Sequence, residues 1–199
     1  MRVAVARLLR AEGYEVRAYA SAGDFLLTPP KQGPGCVLLD LQMPGPSGLE
    51  LQDALQRHDI PLPVVFLTGR GDVASSVRAM KCGAVDFLTK PVEPMVLVKA
   101  VETALDRERS ARAQRESLGE ARSRYARLTQ RERLVFGQVV AGKLNKQIAA
   151  ELGITERTVK MHRAQVMAKM EAGSLAELVR MADLLGHAGV PMQPPASPG

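Results

Sequence analysis

Asn145–Met170 reads NKQIAAELGITERTVKMHRAQVMAKM, and this stretch decides the fold of the C-terminal half. It predicts two short helices joined by a tight turn. Asn145 is a candidate N-cap, because an Asn side chain accepts a hydrogen bond from an orphan backbone N–H. Ile148, Ala149 and Leu152 recur at helical spacing as one apolar stripe. Gly153 stops the helix, since glycine takes the left-handed conformation at low cost. Ile154 plugs the turn, and Thr155 caps a second helix whose first turn carries Glu156, which the helix dipole favours. The pattern is that of a helix-turn-helix.

At ~100° per residue the second helix sorts into faces. Val159, Val166 and Met170 fall together and point to a core. Arg157, Lys160, Met161, Ala164, Gln165 and Ala168 fall on the opposite side, which carries two cations and no acid. A face that only meets solvent normally mixes both signs. This one suits the negatively charged groove of duplex DNA, and the competing reading is a small helical domain with a mildly basic surface.

Leu128–Leu178 resembles the LuxR/NarL-type DNA-binding domain through its opening LTQRE, the run AGKLNKQIA, and TVKMHR followed by KM. HRAQVMAKM is most similar to the FixJ-type subgroup. The resemblance implies a four-helix domain over 128–185 whose third helix enters the major groove, with dimer contacts through a fourth helix at about Ser174–Leu185. It implies base reading by Lys160, Met161 and Ala164, within a DNA-contacting set that also takes in Lys146, Thr155, Arg157, Thr158 and Gln165. Met161 and Ala164 have no side-chain donor, so readout there is apolar contact, for example with thymine methyl groups.

The chain has 199 residues and a net charge of +6, enough for one large or two small domains. Positive charge is uneven: residues 1–106 carry 11 Lys and Arg against 12 Asp and Glu, 107–127 carry 7 against 3, and 128–185 carry 9 against 6. The excess therefore travels with the helix-turn-helix and the segment before it, as a nucleic-acid partner requires. Aromatic residues make up 4% and Trp is absent, so Val, Leu, Ala and Met must build the cores. Cys36 and Cys82 are far apart and in no metal-ligand spacing, which predicts reduced, structural thiols. No apolar run reaches membrane-spanning length, and a cytoplasmic protein with no membrane partner is expected.

In the first half, helices are predicted at 2–11, from Ser21, at 48–57 with Ser47 as cap, at 72–81, and from Glu93 to Leu105. Tyr14–Ala18 reads as a short strand. CVLLD at 36–40, PVVFLT at 63–68 and AVDFL at 84–88 are near-continuous apolar runs of the kind that fill a parallel sheet buried on both faces. Alternating strands and helices make this half α/β. Ligands in such sheets bind at the carboxyl ends of strands, where Asp40, Thr68 and Lys90 stand. An acid, a hydroxyl and an ammonium suit a phosphoryl group: a nucleophile, a hydrogen-bond donor and a neutralising charge. Each residue alone also has an ordinary role as a turn, cap or solvated residue.

VLLDLQMPGPSGLEL, VVFLTGRGD and MKCGAVDFLTKP resemble the receiver domain of two-component response regulators over residues 1–105. The resemblance implies a flavodoxin-like parallel sheet with Asp40 as phosphoacceptor, Thr68 as switch hydroxyl, Phe87 as switch aromatic, Lys90 as phosphoryl-binding lysine and a cis Lys90–Pro91 bond. It implies a magnesium ion held by Asp40 and the backbone carbonyl of Gln42, and dimerisation through about Asp72–Leu88. The family opens with a strand ending in acids. Here Met1 already lies within the first helix, so the first strand is missing from the expected fold, the receiver is expected to be incomplete at its N-terminus, and the metal site is expected to be incomplete too.

Residues 106–127 are charged and rich in helix formers, and predict a helical linker continuing the receiver's last helix. Residues 186–199, rich in Gly, Pro and Ser, predict a disordered tail.

The reading that unites the two halves is a transcriptional response regulator gated by phosphorylation of Asp40. Its expected partners are double-stranded DNA, a sensor histidine kinase, a second copy of the chain and RNA polymerase. The alternative keeps DNA binding and makes the first half a phosphorylation-independent dimerisation module. An aspartyl-phosphate phosphatase needs a second Asp two residues after the nucleophile, where this chain has Gln42, so an enzyme is not expected. A sigma-factor-like module does not account for the receiver-like half.

Overall fold

The computed structural model describes residues 2–28, 33–41, 43, 46–69 and 73–186. Two compact units divide the chain, Met1–Arg112 and Ala113–Gly199.

In the first unit, α1 (Arg2–Ala11) is followed by α2 (Ala22–Leu27), β1 (Val37–Asp40), α3 (Gly48–Arg57), β2 (Val64–Thr68), α4 (Val73–Lys81), β3 (Asp86–Thr89) and the start of α5 (Pro94–Ala126). The three strands form a parallel sheet in the order β1-β2-β3. β2 is central and buried along its whole length, as its unbroken apolar sequence predicts. Its two faces feed separate cores. Phe66 joins Phe25, Leu39, Leu51 and Leu55 on one side, and Val65 and Leu67 join Leu9, Leu88, Leu97 and Val101 on the other. Full burial of each such side chain is worth about 1.5–3 kcal/mol.

Several helix ends follow directly from local sequence. Ser21 caps α2 by accepting from the Asp24 N–H at 3.1 Å. Ser47 and Glu50 form a reciprocal capping box that fixes where α3 begins. Tyr14–Ala18, expected as a strand, is not one. Among the described residues no strand lies beside it, and a strand exists only through ladder hydrogen bonds. Its backbone is held instead by helix-end and side-chain bonds: the Tyr14 N–H donates to the Leu9 carbonyl and the Arg10 guanidinium to the Val16 carbonyl. The third strand begins two residues later and ends one residue later than the apolar run suggested, because the pairing register with β2 begins at Asp86.

The helix expected from Glu93 and the helical linker expected to continue it form one helix, α5, from Pro94 to Ala126, a stretch of 33 residues. The second unit then adds α6 (Gln130–Val140), α7 (Asn145–Leu152), α8 (Glu156–Met170) and α9 (Leu175–Leu184). Phe136, Ile148, Val159, Val166, Met170 and Leu178 are fully buried in one core, so the face assigned to Val159, Val166 and Met170 is the core face. The tail after residue 186 lies outside the described residues.

Candidate phosphoryl site and nucleic-acid interface

In a parallel sheet all strands end on the same edge, and the register brings Asp40 opposite Leu67 and Thr68 opposite Thr89. Asp40 ends β1, Thr68 ends β2, and Lys90 follows β3 directly. The Lys90 ammonium donates to Oδ2 of Asp40, so the structure joins two of the predicted residues. The Lys90 backbone N–H donates to the Thr68 carbonyl at 2.7 Å, tying the third to the same edge. The Lys90–Pro91 peptide is cis. The Thr68 side chain is fully buried, whereas Asp40 is partly open to solvent. Phe87 does not join this edge. It is half-buried lower on β3, its ring centroid 6.3 Å from that of Phe66.

Gly48 belongs to the site, although by sequence it marks only a helix start. A Cβ there would sit 2.7 Å from the Asp40 carbonyl oxygen and 2.9 Å from the Phe66 ring. Only glycine lets the first turn of α3 approach the end of β1 so closely.

Receiver domains generally bind magnesium at the phosphorylation site. Among the described residues no group of three or more His, Cys, Asp or Glu side chains comes together to hold a metal ion. One oxygen of Asp40 is already bonded to an ammonium. Gln42, expected to lend its carbonyl, lies outside the described residues. Of the two groups named for a magnesium ion, Asp40 is thus described, with one oxygen on Lys90, and Gln42 is not.

The two cysteines are free thiols, as expected. Burial pushes the Cys36 thiol up to about 11, so it stays protonated at neutral pH.

In the helix-turn-helix, Gly153 takes the left-handed conformation at φ +64 and ends α7, and the Thr155 hydroxyl accepts from the Thr158 N–H at 3.2 Å to start α8. Arg157, Lys160, Met161, Ala164 and Gln165 are all exposed, and so is Lys146 on the first turn of α7. Thr155 and Thr158 also bond to each other through their hydroxyls at 2.9 Å, so both are engaged at the helix start.

The expected cap at Asn145 is wrong. Leu144 occupies the cap position, and its backbone N–H donates to Oε1 of Gln147 at 2.8 Å. Asn145 is the first residue of the helix. Its Oδ1 accepts instead from Nη1 of Arg163 on α8, again at 2.8 Å. A tertiary partner has outcompeted the local one.

A second tertiary clasp was not visible in the sequence. Glu132 is buried and accepts from the Lys169 ammonium at 2.7 Å, from the Thr129 N–H at 2.7 Å, and helps box the start of α6. Burial works against its charge, but Lys169 and Thr129 outweigh it and hold the carboxyl below its usual range. α6 and α8 are thereby fastened at the end of α8 away from the exposed cations.

Comparison with known proteins agrees with this architecture. Residues 1–102 match the family described as "Response regulator receiver domain", and residues 126–182 match "Bacterial regulatory proteins, luxR family". The chain is 44% identical to nodulation protein W of Bradyrhizobium diazoefficiens, covering 94% of this chain and 82% of that protein. It is also 44% identical to the transcriptional regulatory protein FixJ of Rhizobium meliloti, covering 92% and 89%. The solved structure of the response regulator StyR matches with a TM-score of 0.82 at 42% identity over 92% of each chain. With a receiver sheet in one unit and a luxR-family helix-turn-helix in the other, the chain belongs to the two-component response regulators that act as DNA-binding transcription regulators, and it is not an enzyme.

Proposed function

We propose that Asp40 is the residue whose phosphorylation gates DNA binding by α8. The observation that carries this reading is the meeting of Asp40, Lys90 and Thr68 on the carboxyl edge of one parallel sheet. A sensor histidine kinase presents a phosphohistidine. An Asp40 oxygen bonds to phosphorus as the P–N bond breaks and its electron pair returns to the imidazole. Lys90, already beside the carboxylate, neutralises a phosphoryl oxygen. The Thr68 hydroxyl is buried and must shift toward the edge to reach another oxygen, and that shift, with Phe87 beside Phe66, is the two-state element that reads the phosphate.

The output is a dimer formed through the α4–β3 region of the first unit and α9 of the second. It sets two α8 helices on half-sites about one helical turn, roughly 34–36 Å, apart. Lys160, Met161 and Ala164 read base edges, while Lys146, Thr155, Arg157, Thr158 and Gln165 hold the flanks and backbone. RNA polymerase is the further partner of the DNA-bound dimer, and the cytoplasm is its place of action. Among the described residues no helix is long and apolar enough to cross a membrane.

Acetyl phosphate labelling and DNA binding, measured on the same protein, test the reading. Phosphodonor should label Asp40 and raise affinity for the target duplex, and Lys160→Ala should cost roughly 1–3 kcal/mol of specific binding. DNA binding that is indifferent to the phosphodonor would favour the phosphorylation-independent dimerisation module instead.

A further inference from the structure

Several cations of the second unit are paired with acids. Lys143 pairs with Glu151 at 2.6 Å, Lys169 with Glu132 at 2.7 Å, and Arg124 and Arg127 both meet Glu171, at 3.0 and 3.1 Å. Lys146, Arg157, Lys160 and Arg163 meet no carboxylate among the described residues. Glu132, Glu151 and Glu171 thus neutralise cations elsewhere, and although Glu156 opens α8 no ion pair joins it to Arg157 or Lys160, so four cations on α7 and the first half of α8 stand without a carboxylate partner among the described residues. Three of the four are exposed side chains already assigned to DNA. Arg163 is the exception: it is half-buried, and its Nη1 donates to Oδ1 of Asn145 at 2.8 Å.

An amide acceptor orients a guanidinium without neutralising it. Arg163 has five N–H donors in a planar fork, and the bond to Asn145 occupies one of them. Partly burying an uncompensated cation costs free energy, so a bond that served only to fasten α7 to α8 would be better made between neutral groups. At ~100° per residue, Arg163 stands near Lys160 on the flank of α8 that faces α7, beside the reading face and not on it. When a helix lies in the major groove, its flanks face the sugar-phosphate strands that border the groove. Contacts there position the protein without reading sequence.

We propose that Arg163, seated by Asn145, contacts a backbone phosphate of duplex DNA at the edge of the groove, with Asn145 as its positioning residue. The proposal rests on the placement of α8 in the groove given above. The charge supplies affinity on any sequence, and the Asn145 bond keeps the fork aimed so that little rotamer entropy is lost on contact.

The test uses the full chain, a fluorescent random-sequence duplex of about 30 base pairs, and anisotropy across about 50–200 mM salt, the range over which phosphate contacts are read. Arg163→Gln should weaken binding and reduce the slope of log K against log salt by about one. Arg163→Lys should retain the slope. Asn145→Ala should retain the slope while weakening binding severalfold, because the charge remains but is no longer aimed. If the bond only joins the helices, Arg163→Gln and Asn145→Ala will lower the melting temperature alike and leave the slope at its wild-type value, which overturns the proposal. A variant that does not fold is bypassed by following the Arg163 Nε–H resonance in wild-type protein, assigned with Arg163→Lys. It should shift as duplex is added, and an unmoved signal at saturation overturns the proposal. Lys160→Ala separates the two levels. A slope that falls for Lys160→Ala but not for Arg163→Gln removes this proposal alone. Unchanged binding in both removes the groove placement and the proposal with it.

Discussion

In the sheet unit the Lys90 ammonium already holds the Asp40 carboxylate, whereas on α8 Arg157 and Lys160 stand exposed and form no ion pair among the described residues, although Glu156 opens the same helix. In the first site, under the function proposed above, an incoming phosphoryl group must take Lys90 over from a bond that exists. The second waits for an anion that only a partner supplies. The difference suits the two tasks. A switch needs an alternative set of contacts to leave, and a docking face needs charges that have nowhere else to go. Three acids of the helical unit, Glu132, Glu151 and Glu171, pair with Lys169, Lys143, Arg124 and Arg127 and not with the exposed cations of α8.

The sharpest break of this contrast is Asp40→Asn. It removes the nucleophile and the charge that Lys90 holds, and labelling by acetyl phosphate should vanish completely. Labelling that persists, located by mass spectrometry, would move the acceptor to another residue.

Glu132→Ala attacks the paired set in the other unit. It removes a buried carboxylate with two partners, and should cost about 2–3 kcal/mol in thermal melts of the helical unit. Its pH dependence has a definite sign. The folded carboxyl lies below its ordinary value of 4.5, so the stabilisation is complete above that value and is lost as pH falls through the folded pKa. Acid unfolding of wild type should therefore be steeper than that of Glu132→Gln below about pH 4.5. Parallel acid curves for the two proteins would remove the clasp from the account.

Gly48→Ala probes the sheet site without changing a charge. The added methyl would crowd the Asp40 carbonyl and the Phe66 ring, and overpacking of this kind costs roughly 1–3 kcal/mol. Phosphorylation should slow as the end of β1 shifts. Wild-type labelling rates in this variant would show that the approach of α3 to β1 is slack.

The smallest effect belongs to Glu151→Gln. Lys143 and Glu151 are both substantially open to solvent, so the change should alter stability by about 0.2–1 kcal/mol. It also frees a cation near α7. DNA affinity at low salt should rise slightly, and a fall would contradict the division between paired and uncompensated charges.

Much of this architecture is legible locally. The apolar runs at 36–40, 63–68 and 84–88, the caps at Ser21, Ser47 and Thr155, the stop at Gly153 and the buried stripe of α8 depend on neighbours one helical turn or one strand apart. So does the exposure of Arg157, Lys160 and Met161, which helical periodicity alone predicts. Where a partner lies far along the chain, local reading fails. Tyr14–Ala18 has strand-like residues, but a strand is made by its neighbour, and none pairs with it among the described residues. Asn145 has the chemistry of a cap, but Arg163, eighteen residues on, claims its oxygen. Glu132, which the sequence shows only as part of LTQRE, boxes the start of α6 and is also half of a buried ion pair with Lys169, thirty-seven residues away. Gly48 reads as a helix start, yet its lack of a Cβ matters because Asp40 and Phe66 close in on it. Backbone preferences and periodicity act over a few residues and are written into the chain directly. Which polar group wins a hydrogen-bond partner, and which glycine is crowded, depends on the distances that folding creates between remote segments.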